Sequence, residues 1–336
     1  MKHRRLGSTG LQVSEIVFGC GNVGGALCTA DPADGLPAVR RALEAGIDWF
    51  DTAPIYGQGR SETNLGRILD ELESDARIST KVMLGEDDLA DIPRALERSA
   101  EASLARLRRS SVELIQLHNP VFRSRRRSGG TLGLSLDDVL GRAGVVSGFA
   151  SLVDRGLTRL TGFTGRGDTR CLLELVERGG FQTVQAYYNL LNPSAGMRVP
   201  NGFDAHDYGR LIDAAREKGL GVFAIRVLAA GVLAGGGLPD DSVPMSPGSE
   251  LPNERRRAEA VRRSLDLAPP ELYTLAVRFA LGKDGVSACV IGFSEPAHVG
   301  AAAEAAAHAA HGTEPRVPES SARRLEQLYA AEPFRT

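Results

Sequence analysis

The chain has 336 residues, 42% of them apolar, enough to bury a substantial core in one large α/β domain or two ordinary ones. Acidic and basic residues nearly cancel at a formal charge of −2, which excludes a global field favouring nucleic acid, an anionic membrane or a polyanionic substrate. No apolar run reaches the roughly 18 residues that span a bilayer, and MKHRRLGSTG carries no apolar signal stretch, so a small-molecule partner and a cytoplasmic location are expected.

The first strand is predicted in VSEIVFG from Val13, and a helix over 33–45 follows it. Gly19, Gly21 and Gly24 close that strand in a GxGxxG, but no helix can begin at the third glycine, because Pro32, Gly35 and Pro37 follow. A dinucleotide-binding turn needs that helix to receive the pyrophosphate, so the glycines are read as a loop at the mouth of a barrel.

The second strand, IDWFDTA from Ile47, ends near Asp51, with Tyr56 in a Pro/Gly loop before a helix over 61–73. RISTKV from Arg77 brings Lys81, then a helix over 90–109, and VELIQLH from Val112 ends at His118. A stretch over 119–147, rich in Gly, Ser and Arg, precedes a helix at 148–156. Its RSRRR run from Arg123 has two readings, a phosphate patch or solvated surface, of which the second is the commoner. RLTGFTG from Arg159, TVQAYYN from Thr183 and LGVFAI from Leu220 alternate with helices over 168–179 and 204–218. A second long stretch covers 235–262, followed by a helix over 270–282, the strand SACVIGF from Ser287, a helix over 296–309 and a tail from about 312.

Eight strands each followed by a helix, with no long linker, predict one (β/α)8 barrel domain over 1–336, with loop insertions at its C-terminal face. In such a barrel the strand ends converge, so Asp51, Tyr56, Lys81 and His118 are predicted to meet around one point. Separately, Asp51 reads as a turn cap, Tyr56 as packing and His118 as a strand-end residue; their joint placement argues against all three. The chain uses 36 arginines and only four lysines, so a lysine inside an apolar strand suggests work that an ammonium does and a guanidinium does not. A free tyrosine titrates near about 10, and a neighbouring ammonium favours its phenolate, so Lys81 is expected to lower that value. Asp51 would hold Lys81, and His118 would share a hydrogen bond with a substrate oxygen. The set suits protonation of a carbonyl oxygen as hydride arrives at carbon, and it lacks the nucleophile elbow or carboxylate pair of a hydrolase. Cys20, Cys28, Cys171 and Cys289 lack metal-site spacing and are read as reduced and mostly core; no metal is expected.

The segments RRLGSTGLQVSEIVFG, GIDWFDTAPIYGQGRSETNLGRIL, STKV, SLARLRRSSVELIQLH, GFTG, QAYYNLLN, GVFAIRVLAAGVLAGG and VIGFSEPAHV together resemble the aldo-keto reductase superfamily over nearly the whole length. The resemblance implies a (β/α)8 barrel reducing an aldehyde or ketone with NADPH, or NADH in its place, and the catalytic tetrad Asp51, Tyr56, Lys81 and His118. It also implies cofactor contacts from Gly21, Asp51, Thr164, Gly165, Gln185, Arg226, Leu228, Gly231, Gly292, Ser294 and His298. Thr164 and Gly165 stand where the family usually has Ser-Asn, and Ile225 with Arg226 where it often has a stacking aromatic. From Gly292 and Phe293 through Ala301 and Ala302 the charges that recognise a 2′-phosphate are replaced, which leaves NADPH and NADH open. A monomer is the default expectation, with a homo-oligomer as its alternative. Two other functions compete: a cofactor-binding regulatory barrel, and a Schiff-base lyase using Lys81.

Overall fold

The computed structural model describes residues 1–22, 24–234, 250–307 and 317–334. All eight expected strands form. We label them β1 (Ile16–Gly19), β2 (Trp49–Asp51), β3 (Arg77–Val82), β4 (Val112–Leu117), β5 (Thr158–Thr164), β6 (Thr183–Tyr187), β7 (Gly221–Ile225) and β8 (Val286–Gly292). They pair in parallel and in sequence order, β8 returning to β1, to close the barrel.

Helices α1 (Leu36–Glu44), α2 (Arg60–Glu71), α3 (Ile92–Leu107), α4 (Val145–Asp154), α5 (Thr169–Arg178), α6 (Leu211–Glu217), α7 (Pro269–Gly282) and α8 (Pro296–Ala307) surround it. Local chemistry sets their starts. Asp91 caps α3 by accepting from Arg94 N at 3.2 Å, Asp168 caps α5 by accepting from Arg170 N at 2.8 Å, and Pro lies in the first turn of α1, α3 and α7. The helix expected from 204 starts only at Leu211. Upstream, tertiary bonds capture the chain: Asn192 Nδ2 donates to His206 O and Tyr208 N to Ser194 Oγ.

The N-terminal end of the barrel is sealed. Strands His3–Arg5 and Gln12–Ser14 form a hairpin whose Leu6, Leu11 and Val13 pack onto Val17, Trp49, Leu114, Leu160, Phe223 and Ala288 inside the barrel. Trp49 and Phe223 meet at 5.7 Å between ring centres, both buried. Gly7 is required at the hairpin turn: its φ is +53°, and a Cβ there would lie 2.4 Å from the Gly219 carbonyl oxygen.

Three stretches read as loops carry more structure than expected. Within 119–147, strands Val121–Phe122, Arg126–Ser128 and Thr131–Ser135 form a small sheet. Helix Leu136–Leu140 follows, started by a reciprocal Ser135–Asp138 capping box. Residues 235–249 of the second stretch lie outside the described residues, but Leu251–Ser264 is a helix. The tail forms a helix over Glu319–Tyr329. These last two helices pack with the segment after β7 into a second apolar cluster around Leu191, Leu233, Val261 and Tyr329. Among the described residues no helix is long and apolar enough to cross a membrane.

Candidate active site

Alternation along a strand sends successive side chains to opposite faces. On β3, Thr80 points outward, donating to Glu62 of α2 at 2.5 Å, while Ser79 and Lys81 point into the barrel. Lys81 Nζ donates to Asp51 Oδ2 at 2.6 Å and to Thr52 O at 2.7 Å, with only 1% of the residue exposed. The other oxygen, Oδ1, accepts from Ser79 Oγ at 2.7 Å, Gln185 Nε2 at 2.8 Å and Gln116 Nε2 at 3.4 Å. Asp51 is thus the centre of a polar layer resting on the apolar plug; Trp49 Nε1 joins the two layers by donating to Ser79 Oγ at 3.1 Å.

Tyr56 leaves β2 in a tight turn, its N donating to Ala53 O, and Gly57, Gln58 and Gly59 continue with positive φ into α2. Lys81 Nζ lies 5.0 Å from the Tyr56 ring centre, and the His118 ring meets Tyr56 edge-on at 6.0 Å. The structure therefore brings Asp51, Tyr56, Lys81 and His118 together. Gly21 of the discounted glycine motif sits against the Tyr56 ring, where a Cβ would lie 3.5 Å away, and α1 begins only at Leu36.

Burial, the dominant influence, raises the Tyr56 phenol above its usual value, while Lys81 pulls it down. The expected net lowering by Lys81 is therefore corrected: desolvation outweighs it and the phenol stays protonated. Burial lowers the Lys81 ammonium, but Asp51 and Tyr56 outweigh it and hold the group above its usual value. His118 is pushed well below its usual value, first by burial and then by Lys81, Arg166 and Arg226, so its ring is neutral. Its Nδ1 is buried without a hydrogen-bond partner.

The other expected contact residues lie on adjacent strand ends. Thr164 ends β5 opposite Gln185 of β6, and Gly165 N donates to Gln185 O at 2.8 Å. Gln185 commits its amide nitrogen to Asp51. Arg226 follows β7 in left-handed conformation at φ 62°, its carbonyl accepting from Asn189 Nδ2 at 2.9 Å; Leu228 O accepts from Gly231 N at 2.8 Å. Gly292 ends β8, and Ser294 Oγ bonds His298 Nδ1 at 3.0 Å, with His298 Nε2 facing Glu295 at 3.1 Å. These residues occupy the rim from β5 through β8 to β1, while Asp51, Tyr56, Lys81 and His118 occupy β2 to β4.

The sequence reading missed Ser79, Gln116, Thr52 and Arg166. Ser79 and Gln116 each stand two residues before a singled-out residue, Lys81 and His118, so the strand period signals that they share its face. Thr52 acts through its carbonyl and Arg166 through tertiary placement, for which the sequence carries no signal. The RSRRR run is used within the protein: Arg125 grips Asp138 through two nitrogens, Arg127 meets Glu86 at 2.6 Å, and Arg126 lies 3.6 Å over the Phe122 ring.

A closed parallel barrel with a buried lysine–carboxylate pair, a tyrosine and a histidine at its C-terminal face defines a class of α/β barrels with a polar, titratable cluster at the strand ends. The model of the aldo/keto reductase family matches residues 15–311, and the chain belongs to that family. It is 28% identical to an L-galactose dehydrogenase of Arabidopsis thaliana over 301 residues, 88% of this chain and 85% of that one. It is 27% identical to a versiconal hemiacetal acetate reductase of Aspergillus parasiticus over 206 residues, 57% of this chain and 60% of that one. Among solved structures, an aldo-keto reductase from Bacillus halodurans in its holo form superposes with a TM-score of 0.71 at 23% identity, covering all of both chains. A glycerol dehydrogenase from Gluconobacter oxydans superposes with 0.68 at 21% identity, covering 98% of this chain and 95% of that one. Family and relatives together assign an oxidoreductase.

Proposed function

We propose that the chain reduces an aldehyde or ketone to an alcohol with a nicotinamide cofactor, with Tyr56 as the proton donor. One observation carries this reading: a protonated phenol stands beside a lysine ammonium that a buried carboxylate fixes in place. A neutral phenol is the form that can give a proton to a carbonyl oxygen, and the ammonium steadies the phenolate left behind. His118, neutral and buried, supplies a hydrogen bond to the same oxygen without adding a charge. Asp51 holds Lys81 and touches no reacting atom.

A bound reduced nicotinamide supplies the hydride. The residues on β5 and β6 fit its carboxamide: Thr164 Oγ1 is buried with no partner. Such an atom costs about 1–3 kcal/mol if left unmade and so favours a polar ligand group there. At β8, no lysine or arginine occurs from Gly292 to Ala307, and His298 already faces Glu295. Charge recognition of a 2′-phosphate is therefore weak at this end, and both NADH and NADPH are expected to serve.

The Schiff-base alternative needs Lys81 as a neutral amine, whereas Asp51 and Tyr56 hold its proton on. The test is Tyr56→Phe, assayed with simple aldehydes and both cofactors. Turnover is expected to fall by about 10²–10⁴-fold, with cofactor affinity by fluorescence titration nearly unchanged. Full activity in that variant, or trapping of a borohydride-reducible adduct on Lys81, refutes the assignment.

A further inference from the structure

This inference rests on the carbonyl-reductase reading and names the kind of carbonyl compound taken. In a chain so rich in arginine, what matters is where each guanidinium is used. Arg123 faces Glu174 at 3.5 Å, Arg125 faces Asp138, Arg127 faces Glu86, and Arg257, 2% exposed, reaches Asp204 Oδ2 at 2.9 Å. Arg166 differs. Its side chain donates one hydrogen bond, from Nη1 to His118 O at 3.2 Å, and among the described residues it forms no ion pair with a carboxylate.

The backbone that carries Arg166 is pinned on both sides. Its N donates to Thr164 O at 2.7 Å, its O accepts from Val121 N at 2.8 Å, and Asp168 N donates to Val121 O at 2.8 Å. Gly167 beside it has φ +119°, and a Cβ there would lie 2.0 Å from Val121 O, so only glycine permits this approach. The backbone is therefore fixed before any ligand arrives, and the half-buried guanidinium is directed by its one bond to His118 O.

Three buried polar atoms without partners lie in this neighbourhood: His118 Nδ1, Thr164 Oγ1 two residues upstream of Arg166, and the Tyr208 hydroxyl. Tyr208 stacks on Tyr187 of β6 with ring centres 5.4 Å apart. Burial raises the Tyr208 phenol, and Arg226 and Arg166 both pull against it, as both act on His118. Lys81 is already matched by Asp51, whereas Arg166, close enough to act on His118 and Tyr208, forms no ion pair with a carboxylate among the described residues.

We propose that Arg166 binds substrate, and that the carbonyl compound reduced here carries an anionic group, a carboxylate or a phosphate ester. Arg166 clamps that group while the carbonyl oxygen faces Tyr56 and His118. A guanidinium forms two parallel hydrogen bonds to either anion, which fixes orientation as well as affinity.

The test compares succinic semialdehyde with butyraldehyde, and glyceraldehyde 3-phosphate with glyceraldehyde, using NADH and NADPH. At least one anionic compound is expected to exceed its neutral counterpart in kcat/KM by about tenfold or more, and which pair shows the gap tells carboxylate from phosphate. Arg166→Gln is expected to shrink that gap about tenfold, mainly through KM, and Arg166→Lys to restore part of it. No anionic preference in the wild type, or equal losses on both members of a pair in Arg166→Gln, overturns the proposal while leaving the reductase reading intact. Failure to turn over any carbonyl removes that reading instead. Calorimetric titration of succinate and inorganic phosphate onto the protein with oxidised cofactor then decides: heats lost in Arg166→Gln retain the anion site, and heats that are absent or unchanged reject it.

Discussion

The two ends of the barrel are built from the same kind of part, inward side chains from successive strands, yet they solve opposite problems. At the N-terminal end Trp49, Leu114 and Phe223 fill volume, the hairpin closes over them, and their polar requirement is met by one bond from Trp49 Nε1 to Ser79. Two residues further along the strands, Asp51, Lys81 and Gln116 fill a layer whose internal bonds are nearly complete, and beyond it stand His118 and Thr164 with buried atoms unmet. Unmet polar groups are rare in folded proteins because each is expensive; Thr183 Oγ1 is also unmet nearer the plug, but those of His118 and Thr164 stand at the end with Tyr56 and Lys81, which marks it as the end that makes chemistry.

The largest effect expected from this contrast is at Lys81. Lys81→Met leaves a buried carboxylate facing a thioether, so stability falls by about 3–5 kcal/mol, and turnover falls by roughly 10²–10⁴-fold because the phenolate loses its ammonium. Asp51→Asn alone is also costly, but the double variant is expected to be far less destabilised than the sum of the two. A denaturant-unfolding cycle that came out additive would dissolve the proposed polar unit.

Trp49→Ala probes the other end. It opens a cavity in the plug and costs about 3–5 kcal/mol, yet KM for any reduced carbonyl is expected to change little, because Trp49 reaches the polar layer through its hydrogen bond to Ser79 and lies below the Tyr56 and His118 level. A Trp49→Ala protein with normal thermal stability and a raised KM would reverse the division between the two ends.

The same contrast explains how much was legible in the sequence. Strands came through because they are short β-rich runs alternating with helical patterns, and the residues of the polar layer came through because Asp51, Lys81 and His118 interrupt or end such runs. Helix Leu251–Ser264 did not, although Leu251, Ala258, Val261 and Leu265 trace a helical stripe. Arg255, Arg256 and Arg257 hide it in a charge run, and Arg257 is buried only because Asp204 and the Pro333 carbonyl, both distant in the chain, receive it. The small sheet after β4 escaped for a similar reason: its strands are two to five residues long and are held by Phe122, Arg125 and Asp138 across the loop. Arg166 could not have been singled out among 36 arginines, since only the fold shows that its guanidinium lies beside His118 and, among the described residues, forms no ion pair.

A smaller effect concerns pH. Folded His118 titrates well below the usual 6.5, so between its folded value and about 6.5 the unfolded chain binds the extra proton and the folded one does not. Stability therefore declines as pH falls through that window and is unaffected above it. His118→Asn is expected to flatten the fall in melting temperature between about pH 7.5 and 5.5; an unchanged slope would place the ring in a wetter setting than the structure gives it.

The smallest effect is expected at the arginines of the RSRRR run, and it sharpens the contrast with Arg166. Arg127 and its partner Glu86 are both largely exposed, 68% and 61% at the side chain. An exposed pair of this kind contributes about 0–1 kcal/mol, because water screens the charges and two long side chains must be held still. Arg127→Ala is therefore expected to leave melting temperature and the kinetics of neutral and anionic carbonyl compounds nearly unchanged. If its KM for a phosphorylated or carboxylated compound rose as far as that of Arg166→Gln, the anion would be captured at the mouth of the loop by a cluster of surface charge. The guanidinium beside His118 would then have no special claim to it.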